Sequence, residues 1–229
     1  MSCVGKTTIP CSLRFWQNTT AAIIGAFQCA ELEVCLDACQ RKNVPVIRRI
    51  SGGGAVYHDL GNLNFSIYVT TDHSFLKVYQ DTSLAIINAL HLLNIKARQI
   101  SQNTIVVNER KISGLAGAMR NGAILIHGSL LINTDLKILS HILNLRDDRL
   151  VPIEPKRKFV KSNKKKVVNL YDVLGYEISL SKVKDALQHS FETVFSVAFH
   201  ESALSNHEIH LGNKLCQNKY RRSDWNFKY

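Results

Sequence analysis

Residues 48–62 carry the sequence RRISGGGAVYHDLGN, in which two arginines precede three consecutive glycines. Glycines let the backbone approach a ligand closely, and their N–H groups can bind phosphate or carboxylate oxygens. Arg48 and Arg49 add positive charge next to these glycines. We therefore interpret the segment as an anion-binding loop. A plain turn between two strands is the alternative, and the adjacent arginines together with His58 and Asp59 favour the binding interpretation.

A lysine within an apolar strand is the second candidate for chemistry. Lys111 opens the sequence KISGLAG at 111–117, and the sequence HGSLL follows at 127–131. A lysine ammonium is costly to bury unless it meets an anion, so Lys111 is a candidate for binding a phosphate or polarising a carbonyl group. A solvated strand lysine is the alternative, and the residue taken alone favours that alternative.

Short strands and a few long helices are predicted around these two motifs. Apolar alternation predicts strands, and apolar residues three or four positions apart predict helices. The predicted strands are 13–16, 21–25, 44–49, 55–57, 64–70, 95–100, 104–107, 111–119 and 123–132. The predicted helices are 31–40, 75–93, a short helix after the cap Thr134-Asp135 that ends near 143, one from 179 or 181 to 197, and a short helix within 213–229. With little strict β-α-β alternation, this order indicates an α+β fold with a mostly antiparallel or mixed sheet.

The composition restricts the class of protein. The chain has 229 residues, and 29 lysines and arginines against 18 aspartates and glutamates give a net charge of +11. That charge favours an anionic partner, and nucleic acid, a nucleotide and an acidic protein all stay open on this ground. No apolar run approaches the roughly 18 residues of a membrane helix, and residues 1–10 lack the apolar core of a signal peptide. We therefore expect a cytoplasmic protein with one domain over 1–229 and no membrane partner.

The cysteines and histidines give no pattern of metal ligands. The six cysteines show no CxxC pair, so we expect reduced structural thiols, including Cys35 and Cys39 on a predicted helix. His207 and His210 have a spacing that metal sites use, but no third ligand accompanies them in a recognised pattern. No metal site is predicted.

Three motifs in order resemble the lipoate–protein ligase and lipoyltransferase family: RRISGGGAVYHDLGNLNFS at 48–66, KISGLAG at 111–117 and HGSLLINTDL at 127–136. Supporting similarity covers LRFWQN, IIGAFQ, NTIVVNERK, VVNLYDVLG and KYRRSDWNF, so the resemblance extends over 13–227. It implies a biotin/lipoate-ligase-like catalytic domain with mixed, mostly antiparallel sheets flanked by helices.

The resemblance also implies a reaction. Lipoate would be activated with ATP, accompanied by Mg²⁺, to give lipoyl-AMP. The lipoyl group would then pass to a lysine of a lipoyl-domain protein, such as the acyltransferase subunit of an oxo-acid dehydrogenase complex or the glycine-cleavage H-protein. Both steps develop negative charge on oxygen atoms, which an ammonium and free backbone N–H groups stabilise.

Particular residues are implied to bind the nucleotide and the acyl group. Lys111 is implied to contact the phosphate and acyl oxygens as the catalytic lysine. His58 is expected in the pocket wall and not as a general base, because the attacking carboxylate is already ionised. The residues implied to line the ATP and lipoyl-AMP pocket are Arg48, Arg49, Ser51, Gly52, Gly53, Gly54, Ala55, Val56, Tyr57, His58, Lys111, His127 and Ser129.

The chain departs from the family pattern at three places. Only twelve residues precede Leu13, where family members usually carry a further helix, and Gln102-Asn103-Thr104 stands where Arg-Asn-Asp is often found. The C-terminal accessory domain of the family is the third feature that we expect to be absent from this chain. We therefore expect activation of free lipoate to need a separate accessory subunit.

Two alternative functions stay open beside the ligase. One is an octanoyl or lipoyl transferase that draws on an acylated protein donor, and the other is a non-catalytic adenylate-binding relative. Octanoyltransferases of this fold form a thioester on a cysteine, but 95–110 and 136–150, where that cysteine would lie, contain none. This absence favours adenylate chemistry.

A basic, irregular loop is predicted at 146–166, with seven lysines and arginines between 156 and 166. It is either a solvated surface loop or a functional one, namely a lid over the adenylate or a docking surface for acidic lipoyl domains. Nucleic-acid binding is not favoured, because Phe159 is the only aromatic residue in the run and no recognised nucleic-acid module surrounds it.

Overall fold

The chain folds into two compact units. A computed structural model describes residues 2–3, 11–70, 72–143 and 159–229. The first unit comprises Met1–Gln17, Gly61–Asn133 and Lys165–Ala203, and the second comprises Asn18–Leu60, Thr134–Lys164 and Leu204–Tyr229. The single domain expected over 1–229 stays a prediction.

Eleven strands and eight α-helices lie within the described residues. The strands are β1 Ser2–Cys3, β2 Cys11–Trp16, β3 Thr20–Ile24, β4 Val46–Arg48, β5 Val56–Asp59, β6 Asn62–Thr70, β7 Arg98–Ser101, β8 Thr104–Val107, β9 Arg110–Arg120, β10 Ala123–Leu131 and β11 Phe199–His200. The helices are α1 Ala30–Glu33, α2 Leu36–Arg41, α3 Phe75–Leu92, α4 Leu136–Ile142, α5 Leu170–Leu174, α6 Leu180–Phe195, α7 Asn206–Leu215 and α8 Ser223–Asn226, and a π-helical segment spans Cys216–Tyr220. None of these helices is both long enough and apolar enough to cross a membrane.

The first unit is built on an antiparallel sheet with one apolar and one polar face. Its described strands run in the order β11-β1-β2-β6-β10-β9-β8-β7. Successive side chains of a strand point to opposite faces, and in β6 the buried residues Leu63, Phe65 and Ile67 all belong to the hydrophobic core. Asn64 and Ser66 therefore project from the other face. This alternation creates the polar face on which the lysine motif lies.

Helices α3 and α6 cover the apolar face of that sheet. Each begins at a serine whose hydroxyl accepts a main-chain N–H three residues on, Ser74 for α3 and Ser179 for α6. Phe191 of α6 packs on Phe65 of β6, with the ring centroids 6.1 Å apart. Burying an aromatic side chain of this kind contributes about 1.5–3 kcal/mol, so this layer stabilises the sheet beneath its polar face.

The second unit contains a small mixed sheet in the order β4-β3-β5. Strand β3 pairs parallel with β4 and antiparallel with β5. The arginine- and glycine-rich loop connects β4 to β5 and so leaves one edge strand of this sheet and enters the other. Both sheets together confirm the predicted α+β class with mixed, mostly antiparallel sheets flanked by helices.

Several element predictions need correction. The single helix predicted at 31–40 is two helices, because Val34 is extended and pairs with Leu143, and the Cys35 N–H donates to the carbonyl of Ile142 at 2.8 Å. The strands β2 and β3, predicted as neighbours around a turn, belong to different sheets. Of the basic loop predicted at 146–166, residues 146–158 lie outside the described residues, and 159–166 form neither helix nor strand.

Candidate functional site

A row of residues that are small or polar, except for a tryptophan at one end, crosses the polar face of the larger sheet. Strand pairing places the members directly opposite one another on five adjacent strands: Trp16, Asn64, Ser129, Gly114 and Thr104. His127 lies two residues before Ser129 on β10, opposite Ser66 and Ala116. Ser129 and His127, both predicted from sequence, thus share this face of the first unit.

Lys111 brings an ammonium to the same row. Val106 of β8 pairs with Lys111 whereas Ile105 pairs with Ser113, so Ile112 is an extra residue that bulges β9. A Cβ added to Gly114 would lie 2.7 Å from Lys111 Nζ, which places the half-buried ammonium over Gly114. The main chain at Lys111 is held on both sides, since its N–H donates to the carbonyl of Lys166 at 2.8 Å and its carbonyl accepts from Val168 N–H at 3.0 Å. Glycine at 114 leaves the room that the lysine side chain occupies.

Two buried asparagines in β6 are polar residues that the sequence analysis did not assign to the site. Asn62 Nδ2 donates to Asn64 Oδ1 at 2.9 Å, and both side chains are at most 1% exposed. Asn62 Oδ1 and Asn64 Nδ2 have no hydrogen-bond partner within the described part of the chain. A buried polar atom without a partner costs about 1–3 kcal/mol, so these atoms mark a place where a ligand or water would bind. The alternation of β6 was the signal that placed both on the polar face.

In the second unit, Arg49 shapes the loop 51–54 from within. Its Nη2 donates to the carbonyls of Gly52 and Gly54, each at 2.7 Å, and its Nε donates to Ser51 Oγ at 3.1 Å. Gly53 has φ of 87°, a left-handed conformation that suits glycine. Among the described residues, the N–H groups of Gly52, Gly53 and Gly54 have no protein hydrogen-bond acceptor. Such N–H groups are donors suited to phosphate or carboxylate oxygens, and anion binding by the loop stays a prediction.

Arg48 faces the protein interior. It is fully buried, and Nη1 donates to the carbonyls of Gly25 at 3.0 Å and Gln28 at 2.6 Å. On the other side, Nε donates to the carbonyl of Trp225 at 3.1 Å and Nη2 to that of Asn226 at 2.9 Å. Burial lowers the pKa of Arg48 from its usual value. The guanidinium satisfies its buried charge with carbonyl oxygens of its own chain, which differs from the ligand contact implied by sequence.

Ser162, which the sequence did not single out, joins the lysine-rich segment to the glycine-rich loop. Its Oγ accepts from Ala55 N–H at 2.8 Å and from Gln28 Nε2 at 3.1 Å, and it donates to the carboxylate of Glu33 in a short hydrogen bond. Its own N–H also reaches Glu33 Oε1 at 3.1 Å. A Cβ on Gly54 would lie 2.9 Å from Ser162 Oγ, so segment and loop are in close contact. Lys156, Arg157 and Lys158 of the basic run lie outside the described residues.

The predicted residues Val56, Tyr57 and His58 lie in β5, paired with β3. Burial, with the nearby charge of Arg49 as a smaller cause, lowers the pKa of His58 to about 4. Its Nδ1 is 2.9 Å from Asn18 Nδ2, so the neutral ring accepts a hydrogen bond there. Burial also raises the pKa of Tyr57. A neutral, buried His58 agrees with a wall residue, whereas a proton-accepting base works best with a pKa near the operating pH.

The two groups of residues point to one class of ligand. An ammonium in a row that also contains a buried amide group, and a loop whose glycine N–H groups have no acceptor among the described residues, both suit an acid or a phosphate derivative. The chain belongs to the family described as the lipoyl protein ligase A/B catalytic domain, whose model matches residues 1–192. This membership confirms the resemblance that the three motifs indicated.

Individual relatives support the same assignment. The chain is 36% identical to lipoate-protein ligase A subunit 1 of Thermoplasma acidophilum, over 93% of this chain and 83% of that protein. It is 33% identical to lipoate–protein ligase 1 of Staphylococcus aureus, over 93% of this chain but only 63% of that protein. The chain thus spans less than two thirds of some curated relatives.

Solved structures of relatives have the same fold. One is a bi-partite lipoate protein ligase with its E2 lipoyl domain from Thermoplasma acidophilum, with a TM-score of 0.82, 35% identity, and coverage of 95% of this chain and 84% of that one. Another is lipoate-protein ligase A bound with ATP, with a TM-score of 0.82, 33% identity, and coverage of 95% and 86%. At this identity and coverage, the comparison bears on function as well as on fold.

Proposed function

We propose that the chain is the catalytic subunit of a lipoate–protein ligase. The observation that carries the proposal is the ammonium of Lys111 over Gly114, in the row that contains Ser129 and Asn64. Relatives at 33–36% identity that are named lipoate-protein ligases, one of them bound with ATP, support it. The substrates are lipoate, ATP and the acceptor lysine of a lipoyl domain.

The proposed chemistry has two steps. First, the lipoate carboxylate attacks the α-phosphorus of ATP, the bond to the β-phosphate breaks, and lipoyl-AMP and pyrophosphate form. Second, a deprotonated lysine amine of the acceptor attacks the lipoyl carbonyl, an amide forms, AMP leaves, and the amine loses a proton. Each step builds negative charge on an oxygen bound to phosphorus or carbon. Lys111 is assigned to donate to those oxygens, a contribution of roughly 3–4 kcal/mol for a well-placed donor.

The other site residues bind and orient. The N–H groups of Gly52, Gly53 and Gly54 are assigned to oxygens of the nucleotide or of the carboxylate. Asn62 and Asn64 carry one acceptor and one donor without partners among the described residues, and we assign them to polar atoms of the substrate. His127 and Ser129 remain assigned to the wall beside Lys111.

Mg²⁺ is expected with ATP, as the sequence analysis implied. The described residues contain no group of three or more histidines, cysteines, aspartates or glutamates that would hold a metal ion. Mg²⁺ in nucleotide sites binds chiefly to phosphates and water. We therefore derive no step through protein ligands of the metal.

Two protein partners are part of the proposal. Because one relative is a subunit of a bi-partite ligase, we propose a separate accessory subunit that is needed to activate free lipoate. The structure of that relative with its E2 lipoyl domain supports a lipoyl domain as acceptor. Dehydrogenase acyltransferase subunits and the glycine-cleavage H-protein are the acceptors to test.

The direct test is transfer from preformed lipoyl-AMP. The protein is incubated with lipoyl-AMP and an apo lipoyl domain, and the mass of the acceptor is measured. We expect addition of one lipoyl group. We expect Lys111→Ala to lower the rate by about 10²–10³-fold with an unchanged circular dichroism spectrum. Absence of transfer by the wild-type protein would refute the proposal.

A second assay examines the first step. ATP and free lipoate replace lipoyl-AMP, and little product is expected from this chain alone. Efficient turnover would remove the accessory subunit from the proposal while leaving the ligase activity in place.

Two of the described cysteines, Cys29 and Cys39, do not favour the thioester alternative. Burial raises the pKa of Cys39 to about 11 and also raises that of Cys29, whereas a nucleophilic cysteine needs a stabilised thiolate. Alkylating the thiols and repeating the transfer assay separates the two mechanisms. We expect the alkylated, folded protein to keep its activity.

A further inference from the structure

Strand β4 ends at an arginine whose main chain and side chain both bind the segment 225–229. The N–H of Arg48 donates to Asn226 Oδ1 at 2.8 Å, and Trp225 Nε1 donates to the carbonyl of Arg48 at 2.9 Å. The segment thus satisfies the backbone groups at an edge of the small sheet. The ring of Tyr229 lies 5.0 Å from the guanidinium centre, within the range of a cation–π contact.

The guanidinium of Arg48 connects this segment to a second part of the main chain. Its Nε and Nη2 donate to the carbonyls of Trp225 and Asn226, while both hydrogens of Nη1 are taken by the carbonyls of Gly25 and Gln28. An arginine with no exposed surface and these contacts fixes the distance between the two segments. A lysine at this position has no planar fork and would not reach four carbonyls in the same geometry.

The turn at 25–28 in turn supports the glycine-rich loop. A Cβ on Gly25 would lie only 2.2 Å from the carbonyl oxygen of Gly53, so the two backbones are in direct contact. Ala26 N–H donates to the carbonyl of Ser51 at 2.8 Å. Any displacement of the turn therefore moves the glycine-rich loop.

We propose that Arg48 is a positioning residue, and that Trp225, Asn226 and Tyr229 act through it to set the geometry of the loop 51–54. Residues that lie more than 170 positions further along the chain from the loop then determine how tightly the loop binds its anion. The expected anion, lipoyl-AMP, rests on the proposed function, but the mechanical link does not. Arg48 thereby takes a role different from the ligand contact that its motif suggested.

The test uses Asn226→Ala in the full-length protein, with Phe227→Ala as the matched control. Asn226 is buried and bonds to Arg48, whereas Phe227 is its chain neighbour with a 40% exposed side chain. Labelling with ¹⁵N-glycine gives signals from at most 12 glycines. We expect Asn226→Ala to shift the amide signals of Gly25 and the three loop glycines, and Phe227→Ala to leave them in place.

Binding is measured on the same variants with lipoyl-AMP as the probe. We expect the Kd of folded Asn226→Ala to rise about tenfold, the equivalent of one lost hydrogen bond, and that of Phe227→Ala to stay unchanged. An Asn226→Ala protein that melts at a lower temperature but keeps its loop signals and its Kd would overturn the proposal, because the segment would then only stabilise the fold.

A replacement variant and a separate readout cover the cases in which the first variant or the binding assay fails. If Asn226→Ala does not fold, Tyr229→Leu replaces it, since this variant removes the ring beside the guanidinium and keeps the hydrogen bonds of Asn226. If the wild-type protein does not bind lipoyl-AMP, the proposed function fails, and the glycine signals alone decide whether the segment positions the loop.

Discussion

Replacing Gly114 by alanine moves the proposed catalytic ammonium without removing it. The new Cβ would lie 2.7 Å from Lys111 Nζ and 2.8 Å from its Cε, whereas ordinary contacts begin at 3.4 Å. The ammonium must therefore retreat by about 0.7 Å, since 3.4 − 2.7 = 0.7. A misplacement of about 1 Å can reduce a rate 10²-fold, which corresponds to about 2.7 kcal/mol of lost transition-state stabilisation. Because the displaced atoms are the far end of a flexible side chain and not backbone, we expect the melting temperature to change little.

The assay is kcat/KM for lipoyl transfer from lipoyl-AMP, measured for Gly114→Ala, Lys111→Ala and the double variant. If the alanine acts only by displacing the ammonium, it has nothing left to displace in Lys111→Ala, and the double variant should be no slower than Lys111→Ala alone. Multiplicative losses would refute the reasoning, because Gly114→Ala would then act independently of the lysine. A wild-type rate for Gly114→Ala would refute it as well.

Three further predictions concern the second unit. Burial lowers the pKa of His58 to about 4 from its ordinary value of 6.5, so the unfolded chain takes up a proton at this residue before the folded protein does. The contribution of His58 to the free energy of unfolding is therefore fully present above pH 6.5, and about 3 kcal/mol is lost as the pH falls to 4. In denaturant titrations, His58→Gln should abolish this loss. Gly25→Ala should lower the free energy of unfolding by about 1–3 kcal/mol, because the new Cβ meets the carbonyl oxygen of Gly53. Gly212→Ala, at an open position of a helix, should raise it by about 0.5–1 kcal/mol. Equal effects of the two variants in urea titrations would contradict the contact between Gly25 and Gly53. Ser162→Ala should cost about 1–3 kcal/mol because buried Glu33 loses its hydroxyl donor, and an unchanged urea midpoint would show that this contact is not formed.

The sequence predicted the elements with strong periodicity and missed those that depend on distant pairing. Helix α3 and strand β8 were placed within one residue of their observed bounds, since apolar spacing and flanking polar residues determine them locally. The prediction of one continuous helix at 31–40 was wrong, because Val34 pairs with Leu143, more than 100 residues away, and this pairing interrupts the helix. Nothing in the local pattern indicated that pairing.

The candidate site shows the same division. Lys111, His127 and Ser129 were predicted, and strand register brings the last two to one face with the lysine alongside. Asn64 was missed, although the alternation of its strand placed it on the face of the sheet that lies away from the apolar residues. Ser162 was beyond sequence reasoning, because its partners lie 107 to 134 residues away along the chain.

The two arginines of the glycine-rich motif show how charge and backbone geometry act together. Arg49 draws the carbonyls of Gly52 and Gly54 towards itself. In a trans peptide the N–H points opposite to the carbonyl, so the N–H groups of Gly53 and Ala55 are turned away from the guanidinium. Arg48 does the equivalent for the turn that supports the loop, since its Nη1 holds the carbonyls of Gly25 and Gln28. Both guanidiniums thus hold peptide groups in place. The N–H of Ala55 then donates to Ser162 Oγ and that of Ala26 to the carbonyl of Ser51, whereas that of Gly53 has no acceptor among the described residues. The two arginines of the motif therefore act on the main chain of the loop and of the turn that supports it.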